Sequence, residues 1–129
     1  MDASTAANLS FDIQVVQADP CIPPASLTSP GNLALQQYTI YLDTTLTYTF
    51  DAFVTNPAGC TITYSHSVTP ALTELTFTST SRQFDFSSTD LNLALATTPF
   101  YQDYVVTITA QSSTVTTSDT FSLRIIDPC

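Results

Sequence analysis

The chain has 129 residues, room for one domain and a short extension. Apolar residues make up 43% of it, enough for a core, but charged residues only 10%, and eleven acids against two arginines leave a net charge of −9. Nothing in that balance could neutralise phosphates, which excludes nucleic acid as a partner and argues against an anionic membrane surface.

Membrane insertion is not expected either, because no apolar run reaches the length of a span. Met1-Asp-Ala-Ser-Thr lacks the basic start and apolar stretch of a signal peptide, so an exported protein would carry its signal outside these residues. Asn8-Leu-Ser10 is the one N-glycosylation sequon, since Asn56 is followed by Pro, and Asn8 is the candidate acceptor. Leu9 to Gln17 reads as a strand with Phe11, Ile13 and Val15 on one face. Asp19-Pro-Cys-Ile-Pro-Pro24 is then a stiff junction, because three prolines fix φ and exclude helix. The boundary is drawn there: residues 1–20 as an N-terminal strand segment, residues 21–129 as a sandwich domain.

Beyond the junction, Pro30-Gly31 marks a turn and Leu33 to Leu35 a candidate edge segment. Tyr38, Ile40 and Leu42 alternate. Leu46, Tyr48 and Phe50 alternate before the pattern shifts at Ala52 to Val54. Asn56-Pro-Ala-Gly59 turns into Cys60, and Cys60, Ile62, Tyr64, His66 and Val68 share a face. Leu75 with Phe77, and Phe84 with Phe86, carry two short strands. Leu91, Leu93 and Leu95 also alternate, although Asp90 can equally cap a short helix there. Tyr104 to Ala110 and Thr120 to Ile126 are the clearest strands. About seven strands with turns every 8 to 12 residues predict an all-β sandwich preceded by one extra N-terminal strand.

The chain repeats itself. Phe11-Asp-Ile-Gln-Val-Val16, then Asp19-Pro20-Cys21, returns as Phe121-Ser-Leu-Arg-Ile-Ile126, then Asp127-Pro128-Cys129. The copies lie about 110 residues apart, the size of one sandwich domain. That period points to a tandem array in which residues 9 to 17 repeat the last strand of the unit. They have either been the end of a preceding unit or serve as a donor strand for a neighbour, with Phe11, Ile13 and Val15 as the inserted face. The three cysteines fit the same logic. If each unit has one Cys at its entry and one in mid-domain, Cys21 pairs with Cys60, and Cys129 is left for an intermolecular disulfide. The competing reading is three free thiols in a reducing compartment. The Lys-free, Thr-rich composition points instead to an extracellular or cell-surface setting.

Chemistry-bearing constellations are scarce. His66 is the only His and Glu74 the only Glu. No Gly-x-Ser-x-Gly elbow or phosphate-binding loop occurs, and the chain has only two glycines. No catalytic residue, metal ligand or cofactor is assigned, and the chain is not expected to be an enzyme.

Tyr104-Val-Val-Thr-Ile-Thr-Ala110, Thr120-Phe-Ser-Leu-Arg-Ile-Ile126 and the Thr76 to Phe86 stretch resemble the immunoglobulin-like and cadherin-like repeats of large secreted surface proteins, adhesins among them. The resemblance covers roughly residues 22 to 128. It implies an immunoglobulin-like or cadherin-like β-sandwich used for modular spacing, adhesion or filament building, with neighbouring copies of the same protein as partners. The acidic calcium clusters of true cadherin junctions are missing, so inter-domain calcium is not expected. The competing function is a carbohydrate-binding module, in which Tyr41, Phe100 and Tyr101 form a stacking platform for glycans. Tyrosines turned inward would favour the structural reading, and an exposed row of them the sugar.

Overall fold

The computed structural model describes residues 19–128. Within them the protein is all-β, with nine strands and one short 3-10 turn. In chain order the strands are β1 (Ser26–Thr28), β2 (Gln36–Thr39), β3 (Leu46–Thr49), β4 (Val54–Asn56), β5 (Thr63–Thr69), β6 (Leu75–Thr78), β7 (Gln83–Phe86), β8 (Tyr101–Ser112) and β9 (Val115–Ile126). A four-stranded sheet, ordered β2-β9-β8-β5, faces a three-stranded sheet, ordered β3-β7-β6, and a β1-β4 ribbon closes one end.

The long β8–β9 hairpin is the spine. Tyr104, Val106, Ile108 and Ala110 are buried, with Val105 exposed between two of them, and Phe121, Leu123 and Ile125 repeat this period on β9. Such strict alternation burdens one face with the core and leaves the other to solvent. The opposite sheet contributes Phe84 and Phe86, and Phe50 follows β3 into the same core. Phe84 is its hub: ring centroids lie 4.5 Å from Phe77, 5.3 Å from Phe121 and 6.0 Å from Phe50. Ring contacts of this kind add to the gain from apolar burial.

Three local expectations are corrected. The strand count rises from about seven to nine among the described residues: the Leu46 to Phe53 run is a strand only to Thr49, and two short strands outside the expected runs, β1 and β4, pair with each other. Leu33 to Leu35 forms no strand, and Leu35 is exposed. Leu42 does not continue the buried face of Tyr38 and Ile40: the chain turns at Tyr41, with Leu42 and Asp43 amides both donating to the Thr39 carbonyl, and Leu42 is left 73% exposed. At Leu91–Leu93, where the sequence allows a strand and an Asp90-capped helix equally, the chain takes the capped form: a 3-10 turn in which the Asp90 carboxylate accepts the Asn92 amide at 2.9 Å.

One pairing has no local signal. β2 runs parallel to β9, with Tyr38 opposite Ile125 and Thr39 opposite Ile126. An early strand thus lies beside the last one, and both point to the same end of the molecule.

Candidate functional site

The segments that carry the chain in and out lie at opposite ends of the sandwich. At the entry end, Asp19 to Ile22 forms a turn: the Ile22 amide donates to the Asp19 carbonyl at 3.0 Å, and the Cys21 amide to the Asp19 carboxylate at 2.9 Å. This turn lies against Thr61, Ser112 and Ser113, at the closed end of the β8–β9 hairpin, with a groove of about 300 Å³ between them. Ile22 is 68% exposed there.

Cys21 and Cys60 are joined at this end by a disulfide, with Cα atoms 5.4 Å apart. The sequence presents Cys60 through the preceding turn. Gly59 adopts φ +90, open to glycine and strained for other residues. The buried Thr55 hydroxyl donates to the Pro57 carbonyl at 2.8 Å and accepts the Cys60 amide at 3.2 Å. The bridge therefore fastens the entry turn to the loop between β4 and β5.

The exit end is built from three converging segments. The Ile40 amide donates to the Ile126 carbonyl at 3.0 Å on one side of β9. On the other side the Asp127 amide donates to the Phe100 carbonyl at 2.8 Å. Tyr41 and Phe100 flank this exit, and both have positive φ, +69 and +67. Aromatic residues rarely adopt that backbone region, and where they do the cost is sustained by surrounding structure. For Tyr41 that structure is Asp43, whose carboxylate accepts the Thr39 amide at 2.7 Å. Tyr41 and Leu42 are exposed on one side of the exit and Phe100 on the other, and Tyr41 also lines an open groove of about 500 Å³ with Asp43, Ser88 and Thr89. Between the two ends lies the whole of β9, 12 residues, which spans roughly 36 Å at strand rise.

The remaining expected residues are distributed as follows. Tyr101 does not join an open aromatic row, because the Arg124 guanidinium lies 3.9 Å above its ring. Arg124 also makes a two-point contact with Asp103, its direct partner across the β8–β9 ladder, at 2.8 and 3.1 Å. That bond holds the Asp103 carboxyl below its usual value and raises the Arg124 guanidinium. His66 leans its ring on Phe77 and Phe84, with centroids at 5.2 and 5.5 Å. The residue is exposed overall, and the partial loss of solvent against those rings pushes its imidazole below its ordinary value. Tyr38 and Tyr104 are buried and Tyr48 and Tyr64 pack on the core, which leaves Tyr41 as the one openly exposed tyrosine among the described residues. No group of three or more His, Cys, Asp or Glu among the described residues is placed to hold a metal ion. Asn8, the donor face Phe11, Ile13 and Val15, and Cys129 lie outside the described residues.

Sequence reasoning named Tyr41 and Phe100 for their aromatic character alone. It missed that the chain's own exit lies between them, because that depends on the parallel β2–β9 pairing. No protein-family model matches the chain, and no curated protein matches it.

Proposed function

We propose that the chain is a non-catalytic extracellular module of a tandem-repeat surface protein or filament. One observation carries this reading: entry and exit lie at opposite ends of the sandwich, a full strand length apart. Units joined through such ends add length with each copy, as a stalk or filament requires, and a head-to-tail contact that does not close propagates without limit. The repeated strand and the repeated Asp-Pro-Cys junction belong to the same design. In β9 the positions matching Phe11, Ile13 and Val15 are Phe121, Leu123 and Ile125, all core residues. A segment with that face belongs in a sheet, either of a preceding unit or, by strand donation, of a neighbour. The disulfide at the entry suits an oxidising, extracellular setting, and no helix among the described residues is long and apolar enough to cross a membrane.

The test is the length of multi-unit chains. Chains of two, three and four units, joined through the shared Asp-Pro-Cys motif, should lengthen in small-angle scattering by a constant increment near 40 Å per unit, roughly the span of β9. A maximum dimension that does not grow with unit number overturns the reading.

A carbohydrate-binding module is the second reading, favoured by Tyr41, 63% exposed on the wall of a groove that also carries Asp43 and Ser88. The other tyrosines, turned inward or covered by Arg124, weigh against a stacking platform.

A further inference from the structure

We infer that the exposed apolar side chains at the exit, Tyr41 and Leu42 on one side of β9 and Phe100 on the other, are the seat for Ile22 and Pro23 of the following copy, so that consecutive units meet in a fixed joint rather than on a loose tether. The inference rests on the array reading and adds to it the residues of the joint.

The geometry follows from two turns and one repeat. Asp127 is tied to the exit by its amide bond to the Phe100 carbonyl. In the sequence, Asp127-Pro128-Cys129 repeats Asp19-Pro20-Cys21. The first copy of that motif is a closed turn in which the Ile22 amide returns to the Asp19 carbonyl at 3.0 Å. A turn of this kind brings its first and fourth residues within about 7 Å of one another. When the next unit begins with the same turn, its Ile22 is therefore delivered within a turn's width of the residue bonded to Phe100. Tyr41 is on the other side of β9, since Thr39 and Tyr101 both pair with Ile126. Two strand spacings separate those neighbours, about 10 Å, a gap that one aliphatic side chain and a proline ring can bridge.

The chemistry of the two surfaces agrees. Ile22 is 68% exposed, Leu42 73% and Tyr41 63%, the three most exposed large apolar side chains among the described residues. All three lie at the ends that tandem joining brings together. Tyr41 and Phe100 are held there by strained turns, and strain of that kind is retained where a side chain must be presented. The proline-rich run Ile22-Pro23-Pro24 stiffens the incoming segment, so little flexibility is lost on seating it. Covalent linkage supplies the high local concentration that a contact this small needs.

The experiment uses hydroxyl-radical labelling. Two copies of the chain are joined so that Asp127-Pro128 of the first runs directly into Cys21 of the second, and are compared with the single chain. Mapping of the Cys21–Cys60 bridge in each copy establishes that both units fold, and scattering on the same sample reads their length. In the two-copy chain, labelling of Tyr41 and Leu42 per copy should fall about twofold, because one of the two exits is covered. Ile22→Ser in the second copy, an exposed site that leaves folding intact, should restore it. Full labelling of both exits in a lengthened chain with both bridges overturns the joint and leaves the array standing. Protection of those residues only on adding cellohexaose or chitohexaose also overturns it, and assigns the exit to glycans. A two-copy chain that does not lengthen overturns the array reading and the joint together.

Discussion

Tyr38 reaches from β2 to Ser88 in the segment after β7: its hydroxyl accepts the Ser88 amide at 3.2 Å, and its one proton is shared between the Ser88 carbonyl at 3.1 Å and the carbonyls of the turn after β2. The same hydroxyl is 3.1 Å from the Asp43 carbonyl. One phenol thus ties the four-stranded sheet to the end of the three-stranded sheet and to the turn that displays Tyr41.

Tyr38→Phe tests that tie. The ring, with its edge contact to Phe86 at 4.8 Å, is kept, and only the hydroxyl is lost. The Ser88 amide loses its partner beside the core, so unfolding in urea should be easier by about 1–3 kcal/mol. The turn at residues 39–43 should also loosen, seen as faster amide exchange at Leu42 and Asp43 than in the parent. An unchanged urea midpoint would show that the tie is not structural.

How much of this was readable in the sequence differs by element. β8 and β9 declare themselves over Tyr104 to Ala110 and Phe121 to Ile125, where alternate side chains enter the core; the first half of β9, Val115 to Thr120, holds no buried residue and so gives no such signal. Leu42 misleads for the opposite reason. Tyr38, Ile40 and Leu42 have the strand period, yet the Asp43 carboxylate on the Thr39 amide closes a turn first, and an aromatic at Tyr41 gives no cue to positive φ. The β2–β9 pairing joins segments nearly ninety residues apart, with no local pattern to announce it. For the candidate site the balance is similar. The pairing of Cys21 with Cys60 follows from the repeat, in which Cys129 takes the place of Cys21. The gathering of Tyr41 and Phe100 around the exit follows only from tertiary pairing.

Reduction should weaken the unit substantially. The Cys21–Cys60 bridge closes a loop with a sequence separation of 39. In the chain-entropy account such a cross-link stabilises by about 4 kcal/mol, by restricting the unfolded chain. Cys60→Ser, or reductant added to the parent, should lower the unfolding free energy by a comparable amount. The core contacts of Phe84 and Phe121 should survive, so the far-ultraviolet signal of the folded state should not change. Equal stability with and without reductant would remove the bridge from the list of what holds the unit together.

His66 supplies a pH signature. Partial loss of solvent against Phe77 and Phe84 holds the folded pKa of this otherwise exposed side chain below the ordinary 6.5. As pH falls through 6.5 the unfolded chain binds the proton first, so stability declines there, and it levels off once the folded imidazole protonates too. Above that range the group contributes no pH dependence. No other His is present to titrate between about pH 5.5 and about pH 7.5. His66→Gln should therefore flatten the stability profile in that window. The Asp103–Arg124 pair acts lower: its contribution is present above the ordinary carboxyl value of 3.8 and is lost as pH falls through the depressed one. A slope that persists unchanged in His66→Gln would assign the effect elsewhere.

Strand donation between separate chains has one long edge to use. Among the described residues, β2, β3 and β6 end their sheets with four residues each, whereas β5 ends the four-stranded sheet with seven, Thr63–Thr69, and pairs only with β8. An edge of that length is a template for an added strand. Beside it lies the seam between the sheets, where His66 covers Phe77 and apolar side chains of a donor would find contact. Burying Phe11, Ile13 and Val15 there would contribute about 1.5–3 kcal/mol for each side chain, against the cost of ordering the segment. Hydrogen exchange should then show residues 11 to 16 and the amides of β5 becoming protected together as protein concentration rises. Deleting residues 1–18 should abolish the β5 protection while leaving β8 and β9 as they were. Free exchange at residues 11 to 16 at every concentration, with assembly unchanged by the deletion, would rule out donation and leave the segment as the last strand of a preceding unit.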